Sequence, residues 1–539
     1  MMWIFALLSD SVMYELPPVV VIAERAGLYL RAPVASYILT QDEFSGVLLS
    51  DQALLLPGVY VKRSKGLSEI MPKIYVRGFE ARSVPGPGSR VSVLVDGVPL
   101  PDWASLPLSG IEKVEVVKGP YSALYGGNAM GGVVNFVTGK GINRVEFGED
   151  GTVNADITVG KSLGSVTLSG SFSVKETPGY VAAYVVRTAR STEDTTLPLA
   201  EGFERTVTPE GDSVYIIGDC GKNWSRYESG FLKLTWSGRN VRLGIRAGYS
   251  SRRYGYRDGR SYIRVDERPV ESGTVRVNEN EMIIVSPTMF LSSYGGYPVL
   301  SENLWGEWKT ENLSFSFSLS NSSGNYWYAS PYGYKMETSI ASLYGSFLAL
   351  YEKENLSLLF GFEGKKDEEG REKRELYDFE DPASLGDVLY GNEGRIVQGG
   401  GFVQVTARPL SFLTLYAGGR YDLYISRGES FYLLYGDSIT SEYEPVKRSS
   451  FSPRLGVNIS SIYLSWGRAF RPPTEYELFH DWPYYSTLYL GNPELRPEIS
   501  WMGEAGYCGR TVDFSVYYGE IEDMIGMRYL DSAEVALYN

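Results

Sequence analysis

The residues able to do chemistry are few and scattered. His480 is the only histidine among 539 residues, so chemistry that needs a Ser-His-Asp relay or a multi-histidine metal site has almost nothing to work with. Cys220 and Cys508 are the only cysteines; they exclude a disulfide framework and a CxxC zinc cluster, and the sequence leaves open whether they pair. Carboxylates bunch in Lys365–Gly370 (KKDEEG) and Tyr377–Asp387 (YDFEDPASLGD), where several oxygens together are what Ca²⁺ takes, and where solvated loop charge is the plainer reading. Tyr326, Trp327 and Tyr328 lie in the loop-like stretch Asn325–Tyr334, and Trp482, Tyr484 and Tyr485 in Phe479–Asn492. Such rings can stack on an extended or macrocyclic ligand, or form the aromatic girdle of a membrane protein. No nucleophile–base constellation is present. The chain reads as a binding protein, not an enzyme, with no bound cofactor required.

The elements that must position these residues are strands. The chain holds 60 Gly, 41 Tyr and 14% aromatic residues, with only 22% charged, a composition of strand and turn formers. A net charge of −14 gives no basic face for phosphate neutralisation, so nucleic acid is excluded as a partner. No run reaches the ~18 apolar residues of a spanning helix. Residues 1–13, which open MMWIFALLSDS, read as part of a secretory signal without its basic region, the first Lys or Arg being Arg25.

The texture changes near residue 140. Before it, short apolar runs are separated by Pro and Gly: LLLPGVYV, KIYVRGFE, RVSVLVDGVPL, KVEVV and GGVVNFVT, with a helical piece expected over Gln41–Leu56. After it the period is two over long distances. Leu232, Leu234 and Trp236 alternate with Lys233 and Thr235, and Leu313, Phe315, Phe317 and Leu319 alternate with serines. Strands this long, with one apolar and one polar face, suit a membrane barrel with lipid outside and a wet lumen, the one strand architecture that leaves no edge in hydrocarbon. Short turns are expected at Lys161–Ser165, Ser237–Asn240, Lys309–Asn312, Glu352–Asn355, Arg408–Ser411, Asn458–Ser461 and Gly509–Arg510. Long loops are expected at Glu176–Ser229, Arg252–Asn280, Lys365–Arg395 and Ser426–Lys447. With a first strand near Arg144–Phe147 this gives about fifteen strands, a further one beginning at EVALYN and an extra hairpin open around Ser293–Gly296.

A small mixed domain followed by a large barrel resembles a TonB-dependent outer-membrane receptor. The resemblance is carried by LLLPGVYV (Leu54–Val61), VRG (Val76–Gly78), VLVDGVPL (Val93–Leu100) and IEKVEVVKGPYSALYGGNAMGGVVNFVT (Ile111–Thr138). In the barrel it is carried by SPRLGV (Ser452–Val457), SWGRAFRPPTEYELF (Ser465–Phe479) and GNPELRPE (Gly491–Glu498). It implies a membrane all-β fold: an antiparallel transmembrane β-barrel at residues 141–539 with an N-terminal α+β plug at 27–140 in its lumen. The family has twenty-two strands where about 15–16 can be counted here, so the chain reads as truncated at its C-terminus.

The resemblance further implies a TonB box at 14–26, with Pro18, Val19, Val20, Val21 and Ile22 as an extended peptide that can add to a partner's sheet edge. It also implies an electrostatic latch between plug and barrel made of Arg77, Lys118 and Glu504, with Lys118 standing where arginine is more usual. The function implied is energised uptake, with the TonB complex as periplasmic partner and outer-membrane lipid around a monomer. The ligand implied is a scarce metal chelate, a ferric siderophore or a cobalamin-type complex. A passive porin or adhesin barrel, or a non-functional receptor fragment, is the alternative.

Overall fold

A computed structural model describes residues 36–539 except 45–55, 64–71, 83–87, 101–102, 104–105, 140–142, 149–150, 209–210, 212, 435, 485–486, 510–511 and 531–533. The proposed signal segment and Pro18–Ile22 lie outside the described residues, as does most of the expected helix Gln41–Leu56, of which a 3-10 turn at Gln41–Glu43 is described.

The N-terminal unit is built on a five-stranded sheet in the order Ser36–Thr40, Ile111–Lys118, Gly132–Thr138, Val91–Val95, Val98–Pro99. Val91–Val95 runs parallel to Gly132–Thr138 while the other neighbours are antiparallel. Val91–Val95 and Gly132–Thr138 are buried along their whole length and mostly apolar, Ser92 and Asn135 being the interruptions, because both faces are covered. A second sheet of three short strands, Val59–Lys62, Lys73–Val76 and Phe79–Arg82, packs on the same core of Ile74, Val76, Trp103, Ile111 and Phe136. Among the described residues of this unit the helical content is short turns such as Leu108–Gly110 and Ser122–Tyr125.

Around this unit runs one antiparallel sheet of fifteen strands, from Arg144–Phe147 to Asp513–Glu522. Leu232, Leu234, Phe315, Phe317 and Leu319 are exposed on its outer face while their polar neighbours turn inward. All seven expected short turns join neighbouring strands of this sheet. The two edge strands do not pair with each other among the described residues. Plug residues Leu94, Val117, Tyr121 and Leu124 share a core with Leu348, Leu350, Leu359 and Phe402 of the wall, which seats the plug inside the curl.

Expected loops and the last strand are corrected, and the hairpin left open is decided. Lys365–Arg395 and Ser426–Lys447 are not long loops: the strands Leu356–Leu376, Leu385–Leu410, Leu413–Leu434 and Asp437–Ile459 run through them, leaving short connections. Above the bilayer both faces of a strand are wet, so the alternation fades although the strand continues. Tyr294–Lys309 is a single strand with no hairpin at Ser293–Gly296. EVALYN does not begin another barrel strand: Glu534–Tyr538 pairs parallel to Thr487–Leu490 in a small separate sheet. The long loops expected at 176–229 and 252–280 are in part barrel strand, since Lys222–Ser237 and Val241–Arg257 run into them; the connections that remain carry short strands of their own, packed on Tyr215, Ile217, Ile263, Val275 and Phe290.

Candidate functional site

Two hairpin tips on the plug aim charge at the wall. Arg77–Gly78 joins Lys73–Val76 to Phe79–Arg82, and Asp96–Gly97 joins Val91–Val95 to Val98–Pro99. Both residues of each turn have positive φ (53° and 86°; 50° and 78°), the type I′ geometry that matches strand twist and that glycine fills readily at the second position. The first position of each turn is thereby held out on a rigid corner.

Arg77 meets Glu504 of the strand Glu498–Cys508 as a two-pronged fork, Nη2 donating to Oε1 at 2.6 Å and Nη1 to Oε2 at 3.2 Å. Each side chain is only 3% exposed. Tyr463 donates to Glu504 Oε1 at 2.8 Å, and the guanidinium stacks 4.2 Å over the Tyr517 ring. Lys118 does not bond Glu504. Its ammonium donates to the Pro57 carbonyl and lies 4.2 Å over Tyr37. Burial, reinforced by nearby Arg77, pushes its pKa down to about 8 against the pull of Glu504.

Two further charge contacts between plug and wall escaped sequence reasoning. Asp96 Oδ2 accepts from Arg246 at 3.1 Å, with Lys233 at 3.7 Å, and its carboxylate also receives the Thr138 N–H and hydroxyl at 2.8 and 2.6 Å. Burial would raise the Asp96 pKa, but Lys233, Arg246 and Thr138 hold it below the usual carboxylate value. Arg90 donates to Glu498 at 2.5 and 2.7 Å, and Glu498 also receives Arg471, which in turn grips Glu477 at 2.7 Å on the short helix Glu475–Phe479. The signal was present, since Asp96, Arg471 and Glu498 sit inside VLVDGVPL, FRPP and LRPE; each was read as part of a motif and not as a charge. The plug segment Ser122–Asn128 is also tied to the wall: the Asn128 N–H donates to the Phe470 carbonyl at 3.0 Å, and Arg454 lies 3.4 Å over the Tyr121 ring.

Above the plug, inward-facing rings form a band. Tyr326 and Tyr328 are even-numbered on Leu313–Ser330, the parity opposite to outward Phe315 and Phe317, and so face the lumen. Ring centroids run from Tyr326 to Tyr328 at 6.1 Å and on to Tyr334 at 6.1 Å. The Lys373 ammonium bridges Tyr334 and Tyr390 at 4.1 and 5.3 Å. Tyr390 meets His480 at 5.5 Å and Trp482 at 6.4 Å, and Trp482 stacks on Tyr489 at 4.3 Å. Tyr476 closes the group, 4.8 Å from His480 and under Arg371 at 4.6 Å. His480, hydrogen-bonded through Nδ1 to Asn392, is held neutral, chiefly by burial and also by the charge of Arg371.

The aromatic expectations divide accordingly. Asn325–Ser330 is strand, not loop. Trp327, by its odd parity, faces the outer wall against Tyr294 and Lys335 and stands apart from the band. Tyr484 contacts Trp482 at 5.6 Å, and Tyr485 lies outside the described residues. The Ca²⁺ expectation at Lys365–Gly370 meets a strand whose carboxylates are engaged by cations: Lys365–Asp367 at 2.7 Å, Lys366–Glu368 at 2.9 Å and Glu369–Arg371 at 3.0 Å. In Tyr377–Asp387, Asp378 and Asp381 accept backbone N–H groups of their own turn. Among the described residues no group of three or more His, Cys, Asp or Glu is arranged for a metal ion, and Cys220 and Cys508 form no disulfide.

A plug seated in a transmembrane sheet and pinned to it by charged hairpin tips is what comparison with known families can decide. Residues 37–133 match the TonB-dependent receptor plug domain, and residues 175–537 match the TonB-dependent receptor-like β-barrel. The chain belongs to the TonB-dependent receptor family. Solved structures agree in fold. The ferric yersiniabactin uptake receptor FyuA from Yersinia pestis superposes with a TM-score of 0.63 at 16% identity, over 92% of this chain and 73% of that one. The copper transporter OprC gives 0.66 at 14%, over 94% and 74%. The Serratia marcescens hemophore receptor HasR, solved with its hemophore and heme, gives 0.63 at 14%, over 94% and 77%. The family and these relatives are transport receptors, consistent with the absence of a catalytic constellation in the sequence.

Proposed function

We propose that this TonB-dependent receptor sits in the outer membrane and imports a scarce metal chelate, of the ferric siderophore or cobalamin type. The observation that carries this reading is the luminal band of Tyr328, Tyr334, Tyr390, Trp482 and Tyr489 with Lys373 and Arg371 set among the rings. Such a surface stacks on a planar or macrocyclic chelate and offers positive charge to its anionic donors. The ligands named for the related structures are metal chelates or metal, in keeping with that chemistry.

In this reading the bound chelate loosens the plug's hold on the wall. Arg77–Glu504 acts as the principal latch, with Lys118 beside it shaping its field. Pro18–Ile22 then pairs as an added strand with TonB in the periplasm, and the proton gradient supplies the work. The test is quenching of tryptophan fluorescence in the purified receptor, titrated with ferric catecholate, ferric hydroxamate and cobalamin. Saturable binding of at least one, weakened at least tenfold by Tyr390→Ala, is expected. Absence of binding to all of them overturns the ligand class.

A further inference from the structure

The short helix Glu475–Phe479 carries two buried carboxylates in different circumstances. Glu477 is fully engaged, receiving Arg471 Nη1 and Nη2 at 2.7 and 3.1 Å and the Thr474 N–H at 2.9 Å. Glu475 is only 7% exposed, yet among the described residues it makes no ion pair and its Oε1 meets no hydrogen-bond donor. A buried carboxylate oxygen without a donor is costly and asks for an explanation.

A glycine fixes where this carboxylate lies. A Cβ on Gly394 would stand 2.7 Å from the Glu475 Cβ and 3.0 Å from the Phe479 ring, so the helix rests there on bare backbone. The register sets Gly394 directly opposite Glu369. Glu369 and Asp367 are odd-numbered on Leu356–Leu376, the parity opposite to outward Phe360 and Phe362, and so face the lumen. Both are already satisfied. Asp367 holds Lys365 and the Ser342 hydroxyl, each at 2.7 Å, and Glu369 holds Arg371 at 3.0 Å. Glu475 therefore packs beside two carboxylates whose cations are taken, and burial, followed by their charges, pushes its pKa up.

The same strand gives the level in the lumen. Arg371 lies over Tyr476 in the aromatic band, and Glu369 is one luminal position, about 7 Å, closer to the plug. Nearer the plug still, Glu363 holds Arg420 at 2.6 Å, and Arg420 Nη2 would stand 3.0 Å from a Cβ on plug residue Gly126. Glu475 thus sits between the band and the plug, on the path of anything moving inward.

We propose that Glu475, backed by Glu369 and Asp367, receives a protonated primary amine carried on an arm of the chelate that the aromatic band holds. One unmatched carboxylate suits a singly charged partner. Ca²⁺ takes several oxygens, and among the described residues no three acidic groups are arranged for a metal ion. An ammonium brings three N–H donors, the group that Oε1 lacks, and its bond to a carboxylate is charge-assisted. As it arrives, a proton held on Glu475 passes to solvent and the pair forms between ammonium and carboxylate. Placing the amine on a chelate rests on the uptake reading, whereas the amine site itself does not.

The experiment follows amide hydrogen exchange over Glu475–Phe479 in the full-length chain, with n-butylammonium or tetramethylammonium chloride at equal ionic strength. Both ions carry one charge, and only the first has N–H donors. Butylammonium should slow exchange about tenfold at about ten times its dissociation constant. Tetramethylammonium should not, and Glu475→Gln should abolish the effect. Equal slowing by both ions, no slowing by butylammonium, or slowing that survives Glu475→Gln would overturn the site. A second arm titrates a ferric trihydroxamate ending in a free primary amine against the same chelate N-acetylated. The free amine should bind about tenfold more tightly to the parent, and no more tightly than the acetylated form to Glu475→Gln. Equal binding of the two by the parent would overturn the assignment of the amine to the chelate. Failure of both to bind would overturn the hydroxamate chelate as ligand and leave the exchange result to decide the site.

Discussion

Replacing Glu504 by glutamine tests whether the plug is held by charge. In the parent, Arg77 is 97% buried as a side chain and, among the described residues, its one carboxylate partner is Glu504, at 2.6 Å. Breaking a buried pair by removing one partner costs roughly 3–5 kcal/mol, because the surviving charge keeps its desolvation penalty. Arg77 retains the Tyr517 face at 4.2 Å and the Met502 sulfur, which argues for the lower end, about 3 kcal/mol or ~150-fold in the opening equilibrium. The readout is amide hydrogen exchange in the hairpin Lys73–Arg82, whose tip must leave the wall before its amides exchange freely.

Glu504→Gln should raise that rate by about two orders of magnitude, with no change in the strands Leu313–Ser330 and Tyr334–Lys353 on the far wall. The double variant Arg77→Met/Glu504→Met removes both charges and keeps apolar volume. It should return to within about tenfold of the parent, the residue being the Tyr463 hydroxyl left without its acceptor. A rate for Glu504→Gln within threefold of the parent, or a double variant as loose as the single, would refute the reasoning.

Asp96→Asn should loosen the opposite side of the plug by about 3 kcal/mol, since Arg246 is 4% exposed as a side chain and loses its carboxylate; exchange at Val91–Val95 reports it. Because the folded pKa of Asp96 is depressed, its stabilisation is complete above its unfolded value near 4 and is lost as pH falls through the folded one. The stability gap between the parent and Asp96→Asn should therefore be full above about pH 4 and close as pH falls through the folded pKa of Asp96, which acid unfolding of the two proteins reads out. Lys118 gives the alkaline counterpart: its folded pKa of about 8 lies below the ordinary 10.5, so the unfolded chain binds the extra proton between them. Plug stability should rise across that window, and the rise should vanish in Lys118→Met. Trp482→Ala removes the ring stacked 4.3 Å on Tyr489 and should weaken chelate binding by ~10-fold in the fluorescence titration, whereas Trp327→Ala on the outer wall should leave it within twofold.

The barrel was legible where one strand face meets lipid and the other water, as in Leu313–Ser320, because only there does the sequence alternate. It became illegible above the bilayer, where Lys365–Leu376 is charged on both faces and reads as loop. The Arg77–Glu504 contact was reached through motif resemblance, and the hairpin geometry that produces it was not. The contacts of Asp96 and Arg90 were missed because a charge inside a turn motif looks the same whether it faces solvent or a wall 150 or 408 residues away. Trp327 shows the converse: three consecutive aromatics cannot all face one side of a strand, and period two alone places the middle one outside.

Energised uptake is the central claim, and it is tested most directly in cells expressing this chain. Iron-55 is presented as the ferric chelate that binds best in titration, with and without a protonophore, and for the parent beside a variant with residues 18–22 scrambled. The account expects accumulation in the parent that stops when the proton gradient is collapsed and is absent in the scrambled variant, while surface binding is unchanged in both. Accumulation that continues without the gradient, or that is indifferent to residues 18–22, would contradict it and leave a passive barrel.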